Sequence, residues 1–295
     1  MLFIAAMLWG FAFSAQKFAA VVPAFTVGTV RNVIAVVFLI AVLPLLDKLR
    51  KNGRSIIKDG KPDLTLREIL GGALCGAILT VASALQQNGL GEGTDAGKAA
   101  FITALYVAIV PIISAFWGKR SPINVWISVV IATIGFYLLC ITDSFTLEYS
   151  DLLVLLCAII FSFHIIAIDR IAPACDGVRM AIMQFFFAAV FNLIPALIFE
   201  LPLSGESFVS ALPSLFYLGI CSSGIAYTLQ IVGQRNANPA ACGIILSLES
   251  VFGVIGAAVV HGETMLPREY LGCAVVFAAV ILSQIDFSRF SQKRQ

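Results

Sequence analysis

The chain has 295 residues, 60% of them hydrophobic and 12% charged, with 19 Lys and Arg against 17 Asp and Glu for a formal net charge of +2. Soluble domains carry roughly 25% charged residues. That contrast and a mean hydropathy of +0.97 exclude a soluble globular protein and describe an integral membrane protein.

Charge is sorted by loop rather than gathered on a face, so nucleic acid is not implied as a partner. The seven cysteines lack the paired spacing of a zinc or redox motif and read as small packing residues, so no metal or cofactor is expected.

A membrane-crossing helix takes about 20 residues. Apolar segments of that size fall at 2–20, 24–46, 68–89, 96–117, 123–141, 151–172, 178–199, 210–232, 238–261 and 267–286, predicting ten spans. The first begins directly in LFIAAMLWGFAF without a basic region before it, which suits a span better than a cleaved signal peptide. Turn chemistry marks most boundaries, including Pro23, the Gly89/Gly91/Gly93 cluster, Ser121-Pro122, Pro173, Pro202, Asn238-Pro239 and Pro267. Pro111 and Pro195 fall inside spans, where a neighbouring group must satisfy the freed carbonyl.

Lysine and arginine set the orientation. Loop 47–67 is strongly basic, and every second loop after it also carries cations: Lys119-Arg120, Arg170 with Arg179, Arg235, then Arg289, Lys293 and Arg294. Those sides are read as cytoplasmic, with both termini inside. The alternate loops carry Glu92, Asp95, Asp143, Glu148, Asp151, Glu200, Glu206, Glu263 and Glu269 and are expected to face out.

The chain repeats itself. Leu85-Gln86-x-x-Gly89 recurs as Leu229-Gln230-x-x-Gly233, Gly118-Lys119 aligns with Gly262-Glu263, Lys17 with Arg170 and Arg31 with Gln184. This divides the chain into halves at 1–145 and 146–295, each with five spans. An odd number per half inverts the second against the first, the architecture in which transporters bind substrate near the midplane between repeats.

Glu249 draws most notice, because it lies eleven residues past Asn238, near the middle of the ninth apolar run. An ionisable group at that depth is costly and usually faces a bundle interior or a wet cavity. Arg31 sits eight residues past Pro23, deep enough to meet an anionic substrate group, to pair with Glu249, or to rest on backbone carbonyls. His164 and Gln184 are polar within the sixth and seventh spans. Gln184 and Asn192, Thr103 and Tyr106, and Ser222, Ser223 and Tyr227 can serve a substrate or hold helices together. Lys17 and Arg170, near helix ends, are expected to snorkel to the headgroups. Gln86, Gln87 and Asn88 read as an end cap, and Gly72-x-x-x-Gly76 and Gly253-x-x-Gly256 as helix-packing sites. GEGTDAGKA at 91–99 lacks the hydroxyl and the glycine of a phosphate loop, and no motif of a hydrolase or metalloenzyme is present, so an enzyme is not expected.

Leu8-Trp9-Gly10-x-x-Phe13 ending in Lys17, Arg31, FITALYVAIVP at 101–111 and SLES followed by HGE at 247–263 together resemble the EamA-type transporters of the drug/metabolite transporter superfamily. In that family the second half often reads Leu-Glu-Pro where this chain has Leu248-Glu249-Ser250, so the proline that would kink the span is absent. The resemblance implies ten helices in two inverted five-helix repeats, a central cavity between them, and export or exchange of small metabolites, amino acids or drugs.

The expectation is therefore an all-α secondary transporter of the cell membrane. Its partners are the lipid bilayer, a small-molecule substrate and a coupling proton, and its cavity residues are Trp9, Arg31, Tyr106, His164, Gln184, Tyr227 and Glu249. A nucleotide-sugar carrier is the nearest alternative and would call for a denser basic cavity. A channel and a membrane-embedded transferase rank below it.

Overall fold

The computed structural model describes residues 1–49, 57–58, 61–62, 64–118, 121–140, 148–235, 237–261 and 266–285. Most of the basic loop 47–67, Lys119-Arg120, Asp143, Gly262-Glu263, and Arg289, Lys293 and Arg294 lie outside these residues.

Ten helical segments follow one another among the described residues: Leu2–Ala19, Ala24–Leu49, Leu66–Gly91, Ala96–Phe116, Ile123–Cys140, Tyr149–Ile171, Gly177–Phe199, Gly205–Gln234, 239–261 and Pro267–Gln284. They are the first to tenth spans below. Eight are long and apolar enough to cross a membrane; the exceptions are the fifth, whose apolar stretch Ile123–Leu138 is shorter, and the tenth. Those two pack against each other more extensively than any other pair. The protein is an all-α integral membrane protein. Between the second and third spans, Ile57–Lys58 pairs antiparallel with Lys61–Pro62.

Exchange of the two five-span halves preserves the most extensive packed pairs. The second span packs on the seventh, the fourth on the ninth and the fifth on the tenth, each pair being its own image. The third packs on the sixth as the first does on the eighth, and the third on the seventh as the second does on the eighth. The first also packs on the ninth as the fourth does on the sixth. This is the pairing expected of two repeats related by a pseudo-two-fold axis.

The ends of the spans are capped from the sequence. Thr65 and Glu68 form a capping box, Thr65 N donating to Glu68 Oε2 at 2.8 Å and Glu68 N to Thr65 Oγ1 at 3.3 Å. Asn238 Oδ1 accepts from Ala240 N at 2.9 Å while Pro239 fills the first helical position. Other caps cross between halves: Glu200, after the seventh span, accepts from Phe25 N at 2.8 Å and Thr26 N at 2.6 Å at the start of the second. Lys17 does not snorkel outward as expected. Its Nζ donates to Leu90 O at 3.1 Å, in the last turn of the third span, and to Thr94 O at 3.0 Å in the connection after it.

Apolar side chains such as Val33, Val37, Ile40, Val81 and Leu193 are exposed along span faces, as a hydrocarbon solvent permits. Small residues close the contacts between spans. A Cβ at Gly72 would meet Met183 Cβ at 2.4 Å, and one at Gly76 would meet Gln184 O at 2.6 Å. Gly10 of the first span is tighter still, with Phe252 Cβ at 2.3 Å and Gly253 N at 2.7 Å from an added Cβ. Backbone cannot yield as a flexible side chain does, so Gly10→Ala should destabilise the protein by about 1–3 kcal/mol. Thermal unfolding in detergent should show this drop beside a neutral Gly205→Ala, whose added Cβ meets nothing within 4 Å.

Candidate functional site

Three spans depart from regular α-helix, and they do so around one cavity. The fourth is broken at Leu105, between Ala96–Ala104 and Tyr106–Phe116. The break is a tightened turn, with Leu105 N donating to Ile102 O at 3.2 Å. Pro111 lies farther along, inside Tyr106–Phe116, and leaves the Val107 carbonyl without its helical donor.

The ninth span is broken at Ser247-Leu248, between Pro239–Leu246 and Glu249–His261. At the repeat offset this matches the break in the fourth to within a residue or two, although no proline stands here. Serines take its place: Ser247 Oγ donates to Ile244 O at 2.8 Å, and Ser250 Oγ donates to Ala100 O of the fourth span at 2.9 Å. Glu249 becomes the first residue of the second half-helix, where the helix dipole favours a negative group.

The eighth span contains a π-helical stretch, Leu218–Tyr227, which displaces side chains relative to an α-helix and is a frequent feature of functional sites. Its sequence, LGICSSGIAY, brackets two serines with glycines. An added Cβ at Gly219 would meet Ile34 Cγ2 at 2.5 Å and one at Gly224 would meet Phe38 Cδ1 at 2.7 Å, so the second span presses directly on this backbone. Arg31 reaches across from there, Nε donating to Ser223 Oγ at 3.0 Å and Nη2 to Ser222 Oγ at 3.1 Å. Trp9 Nε1 donates to the Ser222 carbonyl at 3.1 Å, and Tyr217 Oη to Leu8 O at 2.8 Å, which fix the first span to the same stretch.

Five of the seven expected residues, Trp9, Arg31, Tyr106, Tyr227 and Glu249, line this cavity. Among the described residues Arg31 is bound by the hydroxyls of Ser222 and Ser223 rather than by backbone carbonyls or Glu249. His164 and Gln184 do not reach the cavity: His164 Nε2 and Gln184 Oε1 lie 3.0 Å apart, both fully buried, with the His164 ring 5.7 Å from that of Tyr227. They form a layer behind Tyr227. Periodicity could not separate a polar pair bonded within the core from one facing a cavity.

The sequence reading missed Gln86 as a cavity residue. It is no cap; it lies inside the bundle, where its Nε2 donates to Thr103 Oγ1 at 3.0 Å, while Gln87 Nε2 donates to Gln16 O at 3.0 Å. The available signal was the repeat, since Gln86 and its counterpart Gln230 both line the cavity. Gln16 and Ser83 also line it.

Polar atoms converge on this space without partners. Gln16 Oε1 and Gln230 Oε1 are buried and have no hydrogen-bond partner among the described residues, and the Tyr106 hydroxyl faces the Glu249 carboxyl beside them. Buried polar groups in proteins are almost always paired, so two unpaired amide oxygens on one cavity mark a place for water or ligand. Aromatic walls from Trp9, Phe13, Phe161 and Tyr227 supply apolar surface beside them.

The described residues hold no cluster of His, Cys, Asp and Glu able to bind a metal ion.

Comparisons with known proteins agree with this architecture. A model described as the EamA-like transporter family matches residues 1–141 and again 149–284. A curated protein of Archaeoglobus fulgidus, described as an uncharacterized transporter, is 29% identical over 194 residues, covering 64% of this chain. The match spans 60% of that protein's own length. A crystal structure covering 96% of this chain and 95% of its own superposes with a TM-score of 0.73 at 19% identity, a likeness of fold.

The serine pair beneath Arg31 gives a direct test of how the site is held. Ser222→Ala with Ser223→Ala leaves a buried guanidinium without the two hydroxyls it binds. It should cost about 1–3 kcal/mol in thermal unfolding, with Ser210→Ala, an exposed serine, close to wild type.

Proposed function

The chain belongs to the EamA-like transporter family, and we propose that it moves a small amphipathic zwitterion, such as an amino acid, by alternating access through the central cavity. The observation that carries this reading is the meeting of one guanidinium, one carboxyl and buried amide and hydroxyl groups within aromatic walls. Arg31 would take the carboxylate of the substrate, Glu249 its ammonium group, and Trp9 and Tyr227, whose ring centroids lie 4.6 Å apart, its apolar part.

Alternating access is supported by the closed state of the site. Its water-accessible space is about 40 Å³, against roughly 300–1,000 Å³ for sites that hold small molecules. Admission of substrate therefore needs spans to separate. Polar ties that such a motion would break lie at both ends of the bundle. At the end read as outer, Lys98 Nζ and Asp151 Oδ2 form an ion pair and Thr94 Oγ1 donates to Asp151 Oδ1 at 3.1 Å. At the inner end Arg179 lies 4.0 Å from Glu68, and Asp176 N donates to Glu68 Oε1 at 3.1 Å.

The orientation with both termini in the cytoplasm, residence in the cell membrane, division of the chain at 145/146 and export or exchange as the direction complete the proposal. Glu249 is the coupling group in it: a carboxyl that gives up its proton on one side and regains it on the other ties flux to a pH gradient.

Measurement of saturable amino-acid exchange in proteoliposomes tests the substrate reading. Arg31→Ala and Trp9→Ala should each reduce it at least tenfold while the proteins insert normally. Exchange unchanged in both variants would remove the zwitterion reading.

A further inference from the structure

We propose that the inner ends of the third and sixth spans form a binding site for one anionic phospholipid. A groove of about 390 Å³ opens there, separate from the central cavity, with Arg67, Leu70 and Leu74 on one side and Arg170 and Ile171 on the other. Arg67 and Arg170 are exposed at this end. Leu70 and Leu74 follow Arg67 on the same helix face and are 59% and 52% exposed. A cationic mouth followed over about two helical turns, roughly 10 Å, by an open leucine stripe matches a phosphate headgroup continuing into an acyl chain.

The walls of the groove touch at its floor, where a Cβ at Gly71 would meet Ile171 Cγ2 at 2.5 Å. The Arg170 guanidinium lies 4.6 Å over the Trp117 ring, which holds its plane and leaves its N–H edge for an anion. Nearby carboxylates are turned to other work. Glu68 accepts from Thr65 N and Asp176 N, and Asp176 Oδ1 accepts from Val178 N at 3.0 Å and Arg179 N at 3.1 Å. Arg235, bonded to Pro173 O at 3.4 Å, adds a third cation beside the groove. The exposed charges lining the groove are thus the cations Arg67 and Arg170, on the side that the basic loops assign to the cytoplasm, where a cation in a groove between spans meets anionic headgroups.

Native mass spectrometry of the full chain in detergent, equilibrated with phosphatidylglycerol, phosphatidylcholine or inorganic phosphate, tests the site. One phosphatidylglycerol should remain bound in preference to phosphatidylcholine. Arg67→Gln with Arg170→Gln should weaken its binding roughly thirtyfold. Leu74→Trp, which fills the groove and keeps both charges, should weaken it as well. Equal retention of the two lipids, unchanged phosphatidylglycerol binding in both variants, or displacement of the lipid by inorganic phosphate would each overturn the proposal.

Discussion

Within a bilayer, backbone can leave the α-helix only where protein or a cavity satisfies the groups it frees, and this constraint organises the molecule. Three spans break that regularity, and all three do so around the same cavity. The turn at Ser247-Leu248 is tied to the fourth span by Ser250 Oγ and Ala100 O, and the π-helical stretch is tied to the first and second by Trp9 and Arg31. A break elsewhere would leave carbonyls and amides facing lipid. Concentrated here, the breaks produce an interior polar enough to hold a guanidinium and a carboxyl.

Two repeats build this frame, yet they furnish it unequally. The fourth and ninth spans break at matching places, but only the ninth carries an acid there. The second and seventh spans offer Arg31 and Gln184 at matching places; Arg31 faces the cavity and Gln184 turns to His164. The eighth span has a π-helical stretch where the third is regular α-helix. Gln86 and Gln230 keep the symmetry, one from each half. The asymmetric parts give the site its charges.

Much of this was legible in the sequence because a bilayer imposes a length and a polarity on each span. The ten spans, their breakers and the Gln86/Gln230 repeat came from that rule. So did Glu249, whose depth in an apolar run needs no structure to be noticed. What could not be read depends on tertiary contacts. The absent proline after Glu249 hid a break that two serine hydroxyls make instead. The π-helical stretch has no signature beyond its two glycines, which only the closeness of Ile34 and Phe38 explains. Gln86 looked like a cap because the third span was read as ending at 89, whereas it runs to Gly91. Lys17 was given to the headgroups because the carbonyls it binds lie at the end of another span and in the connection after it.

The central claim is that the cavity at these breaks is the transport path and that Glu249 carries the coupling proton. Flux of amino acids into proteoliposomes with and without an imposed pH gradient, for wild type and Glu249→Gln, tests it most directly. The account predicts gradient-driven accumulation in wild type that the variant loses, because a glutamine cannot exchange a proton. Accumulation of equal size and equal pH response in the variant would contradict it.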